Sequence, residues 1–216
     1  MPGSFGYNAC EGGRVNARHL PNLLGLFRIV TTPVLFVLIA IGTPTGDLGA
    51  VALLLLMAAS DIADGRIARK LRVVSPLGVF LDTISDKIFV AGALLPMVER
   101  GLVPGWVALL IIVREFAVSG LRSYAASAGQ VIAARQWGKQ KLIFTVTALV
   151  WRLVDSAVRT WPGAPEALLL LASFWPVVLG IALVWTIGSG IEYFWKALPL
   201  LRPATGVTQR TIGDEG

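Results

Sequence analysis

The chain has 216 residues, 55% of them hydrophobic and only 15% charged, with mean hydropathy +0.72. A soluble domain carries about 25% charged residues, so this composition excludes a water-coated globule, a disordered chain and a nucleic-acid-binding module, and leaves a polytopic membrane protein. The lone Cys10 excludes an intrachain disulfide, and the net charge of +6 is read as membrane topology and anionic ligands or lipids rather than nucleic acid.

Residues 1–19 are polar, contain no apolar core of signal-peptide length, and are expected to form a cytoplasmic tail. Six apolar segments follow, at 21–42, 48–70, 76–98, 104–128, 138–160 and 165–200. Each reaches the ~20 residues that span a hydrocarbon core; the last exceeds one span and leaves room for an interfacial helix. Breaks fall at Gly42-Thr43-Pro44-Thr45-Gly46, Ser75-Pro76, Val103-Pro104-Gly105 and Trp161-Pro162-Gly163. The polar tail 203–216 is expected to be disordered. The predicted fold is all-α: a membrane domain over 20–202 with six transmembrane helices.

Lys and Arg set the orientation. Arg14, Arg18, Arg66, Arg69, Lys70, Arg72, Arg122, Arg135, Lys139, Lys141, Lys196, Arg202 and Arg210 fall on one side, against Arg100 and Arg159 on the other. Both termini are therefore expected in the cytoplasm, in the inner (cytoplasmic) membrane. Trp106 and Trp161 fall at the outer interface and Trp137 and Trp195 at the inner one, where aromatic belts sit.

The stretch Ser60 to Lys87 carries the chemistry. Asp61 and Asp64 are three apart at the cytoplasmic end of the second segment, and Asp82 and Asp86 are four apart at the start of the third. Those spacings put each pair on one helical face, ~40–60° apart around the axis. An Asp at the centre of a membrane helix costs about 2.5–3.5 kcal/mol and less near the interface, so these four, at the ends of their segments, cost up to about 10 kcal/mol. Hard divalent cations with oxygen ligands offset such a cluster, phosphate oxygens can complete the shell, and two metals sharing carboxylates make a clamp for phosphoryl chemistry. Gly65 and Gly78 flank the acids where backbone would approach a ligand.

Written out, the stretch is D-x-x-D-G-x-x-A-R, eight residues, then G-x-x-x-D-x-x-x-D, comprising Asp61, Asp64, Gly65, Ala68, Arg69, Gly78, Asp82 and Asp86. It resembles the signature of the CDP-alcohol phosphatidyltransferase family at all eight positions. The resemblance implies that residues 20–202 form a six-helix membrane catalytic domain with a polar cavity open to the cytoplasm, and a two-metal centre of Mg²⁺ or Mn²⁺ held by the four aspartates. It further implies that Asp61, Gly65, Ala68, Arg69 and Gly78 meet the CDP-lipid, and that Asp86 deprotonates the acceptor alcohol. It also suggests a homodimer.

The likeness continues in LPNLLGLFRI (20–29), LDTISDK (81–87), REFAVSGLRSYAASAG (114–129) and GKQK (138–141). These are similar to the subfamily that moves a phosphatidyl group from CDP-diacylglycerol to sn-glycerol 3-phosphate. The basic residues Arg114, Arg122, Arg135, Lys139 and Lys141 suit a phosphorylated acceptor, and Arg28 a phosphate or nucleotide contact. Glu115 is read as a partner for an arginine. Gly25 and Leu142 depart from the subfamily, which often has threonine there. Competing readings are another acceptor, such as an inositol phosphate or phosphatidylglycerol, and, in a different class, a divalent-cation or proton-coupled transporter. A transporter would need polar groups along a path through both leaflets.

Overall fold

In the first apolar segment, Gly25, Arg28, Thr32, Leu35 and Ile39 recur at helical spacing and turn inward, whereas Leu26, Val30, Val34, Val37 and Ile41 form an exposed apolar stripe. A helix that is apolar on its exposed face as well as its packed face is suited to lipid. The computed structural model describes residues 12–71, 76–127 and 136–201. The side chains of residues 12–22, 64–71, 76, 77, 79, 82, 136–139 and 199–201 fall outside that description, although their helical backbone is within it.

Seven helices are described: α1 (Gly12–Ala40), α2 (Pro44–Leu71), α3 (Pro76–Glu99), α4 (Gly105–Ser127), α5 (Gln136–Thr160), α6 (Glu166–Ala172) and α7 (Trp175–Leu201). No strand occurs among the described residues. The first five predicted segments each correspond to one helix. The sixth divides into α6 and α7, because Pro176 cannot donate to a preceding turn and sits where α7 begins. Helix α1 also starts earlier than predicted, at Gly12.

The turn between α1 and α2 shows why the elements end where they do. Gly42 closes α1 with φ +72°, which glycine adopts at little cost. Thr43 then caps α2, its Oγ1 accepting from the Gly46 amide at 3.1 Å, and Pro44 fills the first helical position, where a missing N–H loses nothing.

Three segments are long and apolar enough to cross a membrane: Leu23–Ala40, Pro44–Ala63 and Glu166–Leu198. Helices α3, α4 and α5 have spanning length but carry charged residues within their bodies. Helix α1 packs on α2 and α3; α5 packs on α2, α6 and α7; α4 packs on α3 and α7. The shared core includes Leu35, Ile39, Leu54, Met57, Phe89, Leu94, Met97 and Leu149. Glycine allows the closest approach: a Cβ on Gly92 of α3 would lie 2.2 Å from Thr32 Cγ2 of α1.

Candidate functional site

Helices α1, α2 and α3 each contribute one charged side chain to a common point. On α2, Asp61 continues the inward register of Ala50, Leu54 and Met57; on α3, Asp86 lies one turn before Val90. Arg28 of α1 is fully buried, and its Nη1 donates to Asp61 Oδ1 and also to Asp86 Oδ1, the latter at 3.4 Å. Two carboxylates from different helices thus converge on one guanidinium nitrogen. The sequence assigned Arg28 to phosphate or nucleotide; in the structure it supplies the positive charge between the acids. Next to it, Thr32 Oγ1 donates to the Arg28 carbonyl at 2.7 Å.

Asp64 and Asp82 lie one turn from Asp61 and Asp86 on the same helices, but their side chains are outside the described residues, as are those of Gly65, Ala68, Arg69 and Lys139. Arg135 lies wholly outside them. Gly78 is on α3, one turn before Asp82. Among the described residues no cluster of three metal-ligating side chains forms. The donor chemistry of Asp61 and Asp86 nonetheless fits a hard cation: both are oxygen ligands, and both already draw a cation into the space between them.

A second polar group adjoins the first. Asp86 also lines a small cavity with Val90, Glu115, Lys141, Leu142 and Thr145, between α3, α4 and α5. The Lys141 ammonium pairs with Glu115 Oε2, and Arg114 Nη1 lies 3.2 Å from Glu115 Oε1. Arg114 Nη2 donates to Ser189 Oγ of α7 at 2.8 Å. So the structure pairs Glu115 with an arginine, as expected, adds Lys141 as its second partner, and sets Glu115 and Lys141 beside Asp86. Arg122 is exposed further along α4. Lys87 donates back to the Thr83 carbonyl at 2.6 Å, along its own helix.

The signal for Glu115 was in the sequence: an acid inside an apolar span, beside an arginine, needs a second partner. Ser189, between Gly188 and Gly190, had no such mark. Of the two departures, Leu142 lines the cavity, whereas Gly25 packs against Leu81, whose Cβ would lie 3.3 Å from an added Cβ.

Charged side chains also gather far from this site. Fully buried Asp47 pairs with Arg100, which donates to the Ile39 carbonyl at 2.8 Å and to Ser156 Oγ at 3.0 Å. Asp155 pairs with both Arg152 and Arg159, at 2.7 and 2.8 Å. Arg152 also stacks on Trp175, 4.5 Å from its ring centroid. Along α1, Arg28 and Ile39 are about 16 Å apart at 1.5 Å per residue, and Leu35, Leu54, Phe89 and Leu94 fill the space between with a buried apolar core. That layer argues against a polar path through the bundle. Trp106, Trp161 and Trp195 are exposed, as belt residues would be.

Comparison with known proteins adds an independent line. A family model described as CDP-alcohol phosphatidyltransferase matches residues 18–187. The chain is 35% identical over 198 residues to a Bacillus subtilis protein named CDP-diacylglycerol–glycerol-3-phosphate 3-phosphatidyltransferase, covering 83% of this chain and 97% of that one. Proteins of the same name from Pseudomonas fluorescens and Rickettsia bellii are 32% and 31% identical, over 86% and 82% of this chain and 90% and 93% of theirs.

Proposed function

The chain belongs to the CDP-alcohol phosphatidyltransferase family, and from that premise we propose that it transfers the phosphatidyl group of CDP-diacylglycerol to sn-glycerol 3-phosphate, giving phosphatidylglycerophosphate and CMP. The observation that carries this reading is the meeting of Asp61 and Asp86 at one nitrogen of Arg28. The relatives' shared name supports the donor and acceptor.

Enzymes of this family generally depend on a divalent metal. Asp61, Asp64, Asp82 and Asp86 would hold two Mg²⁺ or Mn²⁺ ions, which when bound neutralise charge on the transferring phosphate. The chain's own residues do the rest. Asp86 takes the proton from the acceptor hydroxyl. The freed oxygen bonds to the phosphorus that bears the diacylglycerol, and the bond from that phosphorus to the CMP oxygen breaks. The proton on Asp86 then passes to water. Gly65, Ala68, Arg69 and Gly78 hold the nucleotide. Arg114, Arg122, Arg135, Lys139 and Lys141 hold the acceptor phosphate, a task for which guanidinium and ammonium groups are suited. Arg28 neutralises Asp61 and Asp86 when cations are absent and meets donor phosphate when the site is filled.

The same reading sets the chain in the inner membrane as a homodimer with six spans. The cavity and both termini face the cytoplasm, and tails 1–19 and 203–216 flank a catalytic domain over 20–202. The exposed apolar stripes and the apolar layer between the two charged clusters support a bilayer-embedded bundle.

The test is CMP release by purified protein in detergent with CDP-diacylglycerol and Mg²⁺ or Mn²⁺. Glycerol 3-phosphate should support release, and inositol 1-phosphate, phosphatidylglycerol and a no-acceptor control should not. Release with a different acceptor would keep the chemistry and overturn the substrate assignment; no release with any of them would overturn both.

A further inference from the structure

Glu115 is the one acid on α4, and it holds two cations from different helices. Its Oε2 meets the Lys141 ammonium of α5, and its Oε1 lies 3.2 Å from Arg114 Nη1 on its own helix. The ion pair with Lys141 crosses the small cavity into which Asp86 opens. Both Glu115 and Lys141 are largely buried, with 14% and 17% of their side-chain surface exposed. Arg114 is fixed from its other side by Ser189 of α7.

We propose that Glu115 is a positioning residue for the acceptor: held in turn by Arg114, it fixes Lys141 at one edge of the Asp86 cavity, so that a phosphate monoester bound by that ammonium presents its hydroxyl to Asp86. This rests on the function proposed above and deepens it.

The physical case is a balance of two effects. A carboxylate between two cations weakens their pull on an anion, so an acceptor site built only for charge would do better without it. Against that, a lysine on a four-carbon stem is poorly fixed, and ordering so long a side chain costs conformational entropy. With Glu115 gone, Lys141 and Arg114 would also be left as like charges in a poorly solvated space, where repulsion is weakly screened. Repulsion and loosened stems both move the ammonium away from the cavity. Positioning therefore outweighs charge dilution. The partner on Lys141 also limits entry: only a ligand carrying more charge than a neutral alcohol can compete for that ammonium, which favours a phosphomonoester.

The experiment is steady-state kinetics of Glu115→Gln, Glu115→Asp, Lys141→Ala and the Glu115→Gln/Lys141→Ala double variant, varying glycerol 3-phosphate and CDP-diacylglycerol separately. Glu115→Gln should raise the acceptor KM about tenfold, equivalent to about 1.4 kcal/mol, and leave the donor KM within about twofold. Glu115→Asp keeps the charge and should recover part of the loss. In the Lys141→Ala background, Glu115→Gln should add little, because it acts through that lysine. An acceptor KM that falls or stays level in Glu115→Gln would overturn the inference, as would equal rises in both KM values or full additivity with Lys141→Ala. If Glu115→Gln shows no thermal unfolding transition, the same criteria are applied to Glu115→Asp. Wild-type protein that releases no CMP with glycerol 3-phosphate would overturn the function itself, a result distinct from all of these.

Discussion

Replacing Arg28 by glutamine removes a positive charge that meets both Asp61 and Asp86 while keeping most of the side-chain volume. Arg28 is fully buried, Asp61 is 18% exposed and Asp86 34% exposed. Removing one member of a buried ion pair costs about 3–5 kcal/mol, because the charge left behind is uncompensated. Water reaches Asp86, so the lower end, about 3 kcal/mol, applies here. For a chain of this size each kcal/mol moves Tm by about 2–4 °C, which gives a fall of about 6–12 °C. Divalent cations change the outcome. An ion that binds only the native state at one hundred times its Kd stabilises by about 2.7 kcal/mol, so saturating Mg²⁺ or Mn²⁺ should raise the variant's own Tm above its value in EDTA by about 5–11 °C. The assay is thermal unfolding in detergent, followed by tryptophan fluorescence, in EDTA and in metal. An Arg28→Gln protein within about 2 °C of wild type in EDTA would refute the charge argument. A variant Tm that saturating metal leaves unchanged would refute the claim that the acids take a cation.

Asp86→Asn should lower kcat by about 10²–10⁴-fold, the usual contribution of a general base, with an unchanged unfolding transition; a near-normal rate would remove Asp86 as the base. Asp47→Asn should lower Tm, since Arg100 would keep its place without a charged partner, yet leave both KM values within about twofold; a selective rise in either would connect that cluster to the site. Gly92→Ala should destabilise by about 1–3 kcal/mol, because its Cβ would strike Thr32 and force α1 off α3. An unchanged Tm in Gly92→Ala would mean that the two helices are not so closely joined.

Helix positions were largely legible because each apolar run exceeds a membrane's thickness and the breaks carry Gly and Pro. The α6–α7 break was harder to locate, since the apolar run continues through Ser173 and Phe174 and only Pro176 marks the new start. That Asp61 and Asp86 approach each other was legible from their places on consecutive helices; the side chains of Asp64 and Asp82 lie outside the described residues. What Asp61 and Asp86 pair with was not legible, because Arg28 meets them across the fold, and periodicity along one helix says nothing about its neighbour. The same holds for Asp47 and Arg100, which read as an ordinary first-turn acid and a loop arginine until helix packing buries the acid completely. Arg114 and Lys141 were legible as cations near the site; Glu115 between them was seen only as a partner for an arginine, and the structure adds the lysine.

The most direct measurement follows both products at once: CMP, and the lipid made from CDP-diacylglycerol and glycerol 3-phosphate, identified by mass. The account predicts phosphatidylglycerophosphate and CMP in equal amounts, formed with Mg²⁺ or Mn²⁺, abolished by excess chelator and lost in Asp86→Asn. Equal turnover in chelator, or CMP released without that lipid, would contradict it.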